Sequence, residues 1–233
     1  MENGKIFTSA IIVAAGSSTR MGMNKMLLEI GSKTVFERTV FAFEECGAID
    51  EIIIVTSEEN MARYRTSVRE NQYSKVKAIV YGGSTRQESV RKGLEFCAKH
   101  ADFVSIHDGA RPLIKPETIA ETVREAEVYG AASVAIRSRD TIKTVDGEGF
   151  AVGTVERENT VLVQTPQTFR KEIIVQAHQK AAEDGFVGTD DCALIEHLGH
   201  RTKMVYIPYF NLKLTVPDDI TLAKSILISR GKL

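Results

Sequence analysis

Short apolar runs alternate with amphipathic stretches along most of the chain. The runs that predict buried strands are rich in β-branched residues and span 8–13, 51–56, 76–80, 103–106 and 133–136. The stretches that predict helices carry apolar residues at helical spacing and span 35–46, 58–70, 86–99 and 117–129. This alternation is typical of the α/β class. It predicts a Rossmann-like, mainly parallel sheet with helices on both faces.

The alternation breaks at about 138–160. Thr, Ile and Val alternate on both sides of the turn Asp146-Gly147-Glu148-Gly149, which predicts a projecting β-hairpin arm. The strand edges of such an arm need covering, and a partner subunit is one candidate. Strands at 161–163 and 203–207 and helices at 172–184, 190–198 and from 217 onward complete the prediction. No repeat or linker interrupts the pattern, so we expect a single domain over 1–233.

Composition and charge narrow the class of protein. The 30 Lys and Arg residues nearly balance 31 Asp and Glu, so the chain lacks the basic excess that nucleic-acid binding favours. No apolar stretch reaches the roughly 20 residues of a membrane helix, and the N-terminus has no secretion-signal core. Three well-separated cysteines without a C-x-x-C pair indicate reduced thiols. We therefore expect a cytoplasmic enzyme with no nucleic-acid or membrane partner.

The loop after the first strand contains the small residues Ala14, Ala15 and Gly16, followed by Arg20 and Lys25. Small residues allow the backbone to approach a ligand closely, and loop N–H groups bind anions. With two cations beside it, this loop predicts a nucleoside triphosphate site. The dinucleotide fingerprint and the P-loop are both absent. The alternative is an ordinary turn with solvated cations.

Polar residues also follow the third and fourth predicted strands. Gly83 and Ser89 lie in a paired-glycine loop and the helix after it, suited to contact with a base or phosphate. Asp108 ends the fourth strand, where a carboxylate is suited to Mg²⁺ or another divalent cation. Its alternative role is to accept hydrogen bonds from loop amides. We expect His107 to be structural, because transfer to a phosphate nucleophile needs no general base.

Three further segments contain candidate residues. Thr165 offers a hydroxyl, and Thr189 precedes two aspartates that resemble a helix N-cap. Lys213 lies between apolar residues just before a helix that begins with proline. Ligands of parallel sheets bind beyond the carboxyl ends of the strands, so we expect Lys213 to add a third cation there.

In this order, these segments resemble the 2-C-methyl-D-erythritol 4-phosphate cytidylyltransferase family, CTP-dependent enzymes of non-mevalonate isoprenoid synthesis. The resemblance runs from Ala14 to Asp218. It is carried by A-A-G-x-x-x-R-M-G with N-K, G-G-x-x-R-x-x-S-V, H-D-x-A-R-P, T-P-Q-x-F, T-D-D and N-x-K-x-T-x-P-x-D.

The resemblance implies a role for each matching position. The implied substrates are CTP and a polyol phosphate, and the implied catalytic cations are Arg20, Lys25 and Lys213. Nucleotide binding is implied for Ala14, Ala15, Gly16, Gly83, Ser89, Asp108 and Ala110. Asp108 would also sit beside the divalent cation. In a homodimer formed through the arm, Thr141 and Arg157 would bind the substrate phosphate, and Arg111, Thr165 and Thr189 would complete the pocket.

The chain departs from the family at a few positions. Many relatives have Pro and Gln where this chain has Asn24 and Met26, and Gly109 replaces a more usual Ala. Ser84 stands where some relatives carry Asp. Two alternative functions stay open: a ribitol-5-phosphate cytidylyltransferase with most of the same motifs, and a non-catalytic nucleotide-binding regulatory protein.

Overall fold

The computed structural model describes residues 5–16 and 24–233. The strands are β1 (Thr8–Ala14), β2 (Glu29–Ile30), β3 (Lys33–Thr34), β4 (Glu51–Thr56), β5 (Val76–Tyr81), β6 (Phe103–Asp108), β7 (Ala131–Arg137), β8 (Lys143–Val145), β9 (Ala151–Thr154), β10 (Val161–Arg170) and β11 (Lys203–Tyr206). The α-helices are α1 (Val35–Glu44), α2 (Glu58–Glu70), α3 (Arg86–Leu94), α4 (Pro116–Tyr129), α5 (Lys171–Asp184), α6 (Asp191–His197) and α7 (Asp218–Ser229). Short 3-10 helices occur at Lys25–Leu27 and Arg157–Asn159.

Seven strands of the described ranges form one mixed sheet in the order β11-β7-β10-β6-β1-β4-β5. Strand β10 is antiparallel to its neighbours β6 and β7, and the other neighbouring pairs are parallel. The predicted fold class is therefore confirmed. The carboxyl ends of β1, β4, β5 and β6 lie at the same edge of the sheet.

Both faces of the sheet are covered by helices, which explains why β4 and β6 are buried along their whole length and β1 along nearly all of it. Ala10 and Ile12 of β1 belong to a buried cluster with residues of α1, α4 and α7. Ile11 belongs to the opposite cluster, with Val90 of α3 and Ile174 of α5. Successive side chains of a strand point to opposite faces, so a strand buried on both sides shows no polar alternation.

Local signals fix several helix ends. The side chain of Thr34 accepts a hydrogen bond from the backbone N–H of Glu37, and the Glu37 side chain accepts one from Thr34, forming a capping box. Helix α3 ends at Leu94, earlier than the predicted 99. The Ala98 N–H donates to Glu51 and its carbonyl accepts from Lys171, so these groups leave the helical pattern.

Strand β10 is longer than the predicted 161–163, because it continues past Pro166 to Arg170. Pro has no N–H to donate to a strand pair, so it normally disfavours the interior of a sheet. The strand tolerates it because the pairing with β7 is irregular between Val163 and Gln167. Thr165 consequently lies within a strand beside β6. The small β2–β3 pair was also not predicted.

The arm is a separate two-stranded sheet formed by β8 and β9, as the hairpin prediction requires. The turn is fixed by Asp146, whose side chain accepts hydrogen bonds from the N–H groups of Glu148 and Phe150. Val145, Phe150 and Val152 on the arm are each 60–67% exposed.

All three cysteines are buried free thiols. Among the helices in 5–16 and 24–233, none has the length and apolar character needed to cross a membrane.

Candidate active site

A cavity of about 370 Å³ opens where β1, β4 and β5 end. Ala15 lines one side, Thr56 lies at the end of β4, and Tyr81, Gly82 and Gly83 line the other side. This volume lies in the range of small-molecule sites, and a nucleoside is of suitable size. The cavity brings the first predicted loop and the paired-glycine loop together. Ala14 ends β1 as a buried residue, and Gly16 is exposed.

Gly82 permits close approach of the two loops. A Cβ atom at this position would lie 2.6 Å from the Cβ of Ala15 and 2.8 Å from Oγ of Ser89. The Gly83 N–H donates to Oγ of Ser89 at 3.0 Å, and the Ser89 hydroxyl donates to the Thr85 carbonyl at 2.8 Å. Ser89, a predicted nucleotide-binding residue, is thus buried and braces the loop that borders the cavity.

Asp108, at the end of β6, is surrounded by cations. Its Oδ1 lies 3.0 Å from Nε of Arg86, and its Oδ2 lies 2.8 Å from Nζ of Lys213. Nε of Arg111 lies 3.8 Å from the same Oδ2. Burial raises the pKa of Asp108, but Arg86 and Lys213 outweigh it and hold the pKa well below its ordinary value. Asp108 is therefore a carboxylate at neutral pH.

Arg86 bridges two carboxylates. Its Nη1 lies 2.8 Å from Oδ2 of Asp191, which is almost completely buried at the start of α6. Burial lowers the pKa of Arg86, but Asp191 and Asp108 raise it above its ordinary value. Nε2 of the buried His178 lies 3.5 Å from Oδ1 of Asp191. A line of polar contacts thus runs from His178 on α5 through Asp191 and Arg86 to Asp108.

A hydrogen-bond chain through Thr165 supports Asp108 from the opposite side. The Asp108 N–H donates to Oγ1 of Thr165 at 3.0 Å, and this hydroxyl lies 3.1 Å from Nδ1 of His107. Nε2 of His107 lies 3.3 Å from the Arg111 carbonyl. The network assigns the proton to Nε2 and leaves Nδ1 to accept from Thr165. Burial lowers the pKa of His107 to about 3, in accord with a neutral ring in a structural role.

The segment that carries Lys213 is tied to the same cluster. The Asn211 side chain donates to the Thr165 carbonyl at 2.8 Å, and Nη1 of Arg111 donates to the Asn211 carbonyl at 2.8 Å. The Leu214 N–H donates to the carbonyl of Ala110 at 2.9 Å. These bonds place Lys213 beside Asp108, as the sequence predicted for a third cation at this edge.

The first loop is described only in part. Arg20, a predicted catalytic cation, lies outside the described residues. Lys25 begins the 3-10 helix, which Asn24 caps by accepting from the Met26 N–H at 3.2 Å. The Asn24 side chain also donates to Asn60 on α2. Asn24 therefore anchors the turn that carries Lys25 to the helix that follows β4.

The arm residues form a group of their own. Nη2 of Arg157 donates to Oγ1 of Thr141 at 3.0 Å, and both residues are exposed. Across the described ranges, no hydrogen bond or ion pair joins this pair to the cluster around Asp108. Thr189 is also exposed, and Asp190 after it caps α6 by accepting from the Ala193 N–H.

Asp108 is the carboxylate of this cluster that a divalent cation arriving on a triphosphate could use, and Arg86 and Lys213 already contact both of its oxygens. Mg²⁺ takes few protein ligands, often one or two carboxylates, and completes its shell with phosphates and water. Asp108 offers one such carboxylate. Within the described part of the chain, no group of three or more His, Cys, Asp or Glu side chains is arranged to hold a metal ion.

The described part of the site also contains guanidinium donors that make no hydrogen bond. In the described ranges, Nη2 of Arg86 and Nε of Arg111 are buried and make no hydrogen bond. Burial of a charged donor is costly unless a partner is supplied. Three cations face two carboxylates here, so the arrangement favours an anionic ligand.

Sequence reasoning did not identify the roles of Asp191, His178 and Asn211. Asp191 and Asn211 lie within motifs quoted above, and this position in a motif was the signal that could have marked them as functional residues. His178 lies on α5 outside every motif, and only the fold brings it to Asp191.

The sequence profile of a family described as 2-C-methyl-D-erythritol 4-phosphate cytidylyltransferase matches residues 8–229. A protein of that name from Caldanaerobacter subterraneus subsp. tengcongensis is 45% identical over 222 residues, which are 94% of this chain and 98% of the relative. Another, from Desulforamulus reducens, is 40% identical over 226 residues, 95% of this chain and 96% of the relative. The solved structure of 4-diphosphocytidyl-2C-methyl-D-erythritol synthase from Anaerococcus prevotii matches with a TM-score of 0.87 and 30% identity, covering 96% of each chain.

Proposed function

The chain belongs to the 2-C-methyl-D-erythritol 4-phosphate cytidylyltransferase family, and we propose that it performs this reaction at the edge of the sheet around Asp108. The reaction joins CTP and 2-C-methyl-D-erythritol 4-phosphate into 4-diphosphocytidyl-2-C-methyl-D-erythritol and releases pyrophosphate. The observation that carries the proposal is the convergence of Arg86, Arg111 and Lys213 on Asp108, close to where β1 and β5 border a nucleoside-sized cavity.

The chemical step is in-line attack of the substrate phosphate oxygen on the α-phosphorus of CTP. A phosphorus–oxygen bond forms to the incoming phosphate as the bond to the pyrophosphate oxygen breaks. The nucleophile is already an anion, so the protein supplies position and charge stabilisation rather than a base. The buried, neutral His107 fits this view, because it holds Thr165 and takes no part in proton transfer.

Three cations are assigned to the charge that develops on the phosphate oxygens. Lys213, presented beside Asp108, stabilises the five-coordinate transition state with Lys25 and Arg20. Ala14, Ala15, Gly16 and Gly83 bind the nucleotide through their backbone, with Ser89 holding the Gly83 loop in place. Ala110, whose carbonyl anchors the Lys213 segment, borders the nucleotide.

Mg²⁺ is the cofactor we propose, with Asp108 as its protein ligand. When bound with CTP, such an ion would supply neutralisation of phosphate charge, which would make pyrophosphate a better leaving group. Lys213 and Arg86 share the carboxylate of Asp108 and keep it ionised for this role.

The remaining substrate contacts are proposed to require a homodimer. Thr141 and Arg157 at the base of the arm would bind the substrate phosphate in the partner's site, and Arg111, Thr165 and Thr189 would complete the pocket. The exposed apolar residues of the arm support this assembly, because apolar patches on projecting hairpins favour burial against another chain. The buried free thiols accord with a cytoplasmic protein.

The test is a substrate panel. Purified protein is given CTP and Mg²⁺ with either 2-C-methyl-D-erythritol 4-phosphate or ribitol 5-phosphate, and products are identified by mass spectrometry. We expect product only, or at least 100-fold faster, with the methylerythritol substrate, about the discrimination that differently placed hydroxyls allow. Preference for ribitol 5-phosphate would favour the sister activity, and no product with either would favour a regulatory protein.

A further inference from the structure

Four side chains in successive contact form what we term the inner chain: Asp108, Arg86, Asp191 and His178. Arg86 contacts Asp108 through Nε at 3.0 Å and Asp191 through Nη1 at 2.8 Å. Asp191 is 1% exposed and His178 is 3% exposed. The inner chain therefore connects the helices behind the sheet with the carboxylate at the proposed nucleotide site.

Stability alone is a weak reason for this arrangement. A buried ion pair loses the hydration of both partners, and replacing it with apolar residues is often neutral or stabilising. Oδ1 of Asp191 and both ring nitrogens of His178 have no hydrogen-bond partner in the described ranges, so the outer end is incompletely satisfied. An arrangement of this kind calls for a function in addition to packing.

The geometry indicates such a function for Asp191, because two contacts together fix the plane of the Arg86 guanidinium group. Nε and Nη1 of Arg86 point to different carboxylates, and neither contact alone would set the orientation. Asp191 is itself held: its N–H donates to Oε1 of Gln167 at 3.1 Å, and Gln167 donates to Asp190 at 2.7 Å. Strand β10 thus fixes the start of α6, which fixes Asp191.

We propose that Asp191 is a positioning residue for cytidylyl transfer. It holds Arg86 in one orientation, and Arg86 holds Oδ1 of Asp108 in place at the edge of the proposed nucleotide site. This inference rests on the proposed function and adds a residue that has no contact with substrate. Residues that orient a ligand-binding group in this way typically contribute 10- to 100-fold to activity or affinity.

Three explanations of the role of Asp191 predict different changes in kcat, CTP affinity and melting temperature when its charge is removed. If Asp191 only screens charge, its neutralisation adds positive charge and CTP binds more tightly. If it only stabilises the fold, the melting temperature falls while kcat and KM per folded molecule stay unchanged. If it positions Arg86, kcat falls about 10- to 100-fold and CTP affinity does not improve.

The test compares Asp191→Asn with Asp184→Asn. Asp184 is a matched control, because it too is an aspartate that contacts a histidine and a basic side chain, His197 and Lys180, on helices α5 and α6. Unlike Asp191, it is exposed and makes no hydrogen bond or ion pair with Arg86 within the described ranges. We measure kcat and KM for both substrates, CTP binding by calorimetry and melting temperature. We expect the kcat loss in Asp191→Asn only. Unchanged kcat, or tighter CTP binding with unchanged kcat, would overturn the proposal.

A second variant tests whether Asp191 acts through Arg86. Arg86→Lys keeps the charge but cannot reach both carboxylates, and it replaces Asp191→Asn as the test if that variant does not fold. We expect Arg86→Lys to lose kcat similarly, with Asp191→Asn adding less than about twofold in this background. Full additivity, or normal kcat in Arg86→Lys, would contradict the inference. An inactive wild-type protein would instead refute the proposed function.

Discussion

At the scale of single residues, Asp108 and its partners determine what the site can do. Arg86 and Lys213 share the buried carboxylate of Asp108, and the backbone N–H of Asp108 donates to Thr165. The carboxylate stays ionised because its partners outweigh the effect of burial. Each partner can be removed separately, so the contributions of charge and of position can be measured.

Lys213→Ala should reduce kcat about 100- to 1,000-fold, the usual effect of removing one donor that stabilises transition-state charge. Asp108 remains ionised in this variant, because Arg86 still contacts it. Steady-state pyrophosphate release measures the effect. Lys224→Ala, an exposed lysine on α7, is the control and should retain normal turnover. A Lys213→Ala protein with near-normal kcat would remove Lys213 from the catalytic residues.

His107 should make the fold sensitive to acid. Its pKa is lowered to about 3 in the folded protein, so between that value and its ordinary 6.5 only the unfolded chain binds the proton. Stability therefore falls as the pH falls through this window, by about 1.4 kcal/mol per pH unit for one proton. Urea unfolding from pH 6.5 to 4 should show this slope reduced in His107→Gln.

The control for this prediction is His200→Gln, which alters an exposed ring. It should leave the wild-type slope unchanged. An equal slope in wild type and His107→Gln would mean that His107 is not held neutral. Asp108 adds a further loss of stability at lower pH. Its carboxylate contributes fully above the ordinary carboxylate pKa, and this contribution is lost as the pH falls toward the depressed pKa of the folded protein.

At the scale of elements, two departures from the family pattern meet in one contact. A Cβ on Gly109 would lie 2.8 Å from Cε of Met26 and 3.1 Å from the Val13 carbonyl. Met26, buried in the turn after Lys25, thus lies next to the space that an alanine at 109 would fill. The substitution to glycine after β6 and the methionine in the first turn accommodate each other.

Gly109→Ala should therefore destabilise the protein by about 1–3 kcal/mol, the usual cost of overpacking. Urea unfolding measures it. Adding Met26→Ala opens space for the new methyl group, so the double variant should lose less than the sum of the two single losses. Strict additivity, or a fully stable Gly109→Ala protein, would show that the two positions are not in contact.

The positions of most helices and strands were predictable, because the apolar spacing of a helix or a strand can be seen within one short segment of sequence. The full length of strand β10 was not predictable. Pro166 disfavours a strand in the local sequence, and only the irregular pairing with β7 accommodates it. The inner chain was beyond prediction for another reason. Arg86, Asp191 and His178 lie on three different helices, and sequence periodicity does not specify which helix faces meet.

At the scale of the whole molecule, the arm should join two chains. Mixing Arg157→Ala and Lys213→Ala chains should restore about one quarter of wild-type activity after random exchange, because half of the dimers contain one intact site. Each variant alone should stay inactive. Light scattering establishes the mass, and adding Phe150→Asp to both chains should yield monomers and abolish the recovery. No recovery in proven heterodimers would mean that Arg157 serves its own chain's site.

The cytidylyl group should pass directly from CTP to a substrate phosphate that needs no activation by the protein. The most direct measurement uses CTP with a chiral α-thiophosphate and 2-C-methyl-D-erythritol 4-phosphate. The configuration of the product at phosphorus is then determined by NMR. In-line attack predicts inversion together with pyrophosphate release. Retention would require a covalent cytidylyl-enzyme intermediate and would contradict the account, as would the absence of any product.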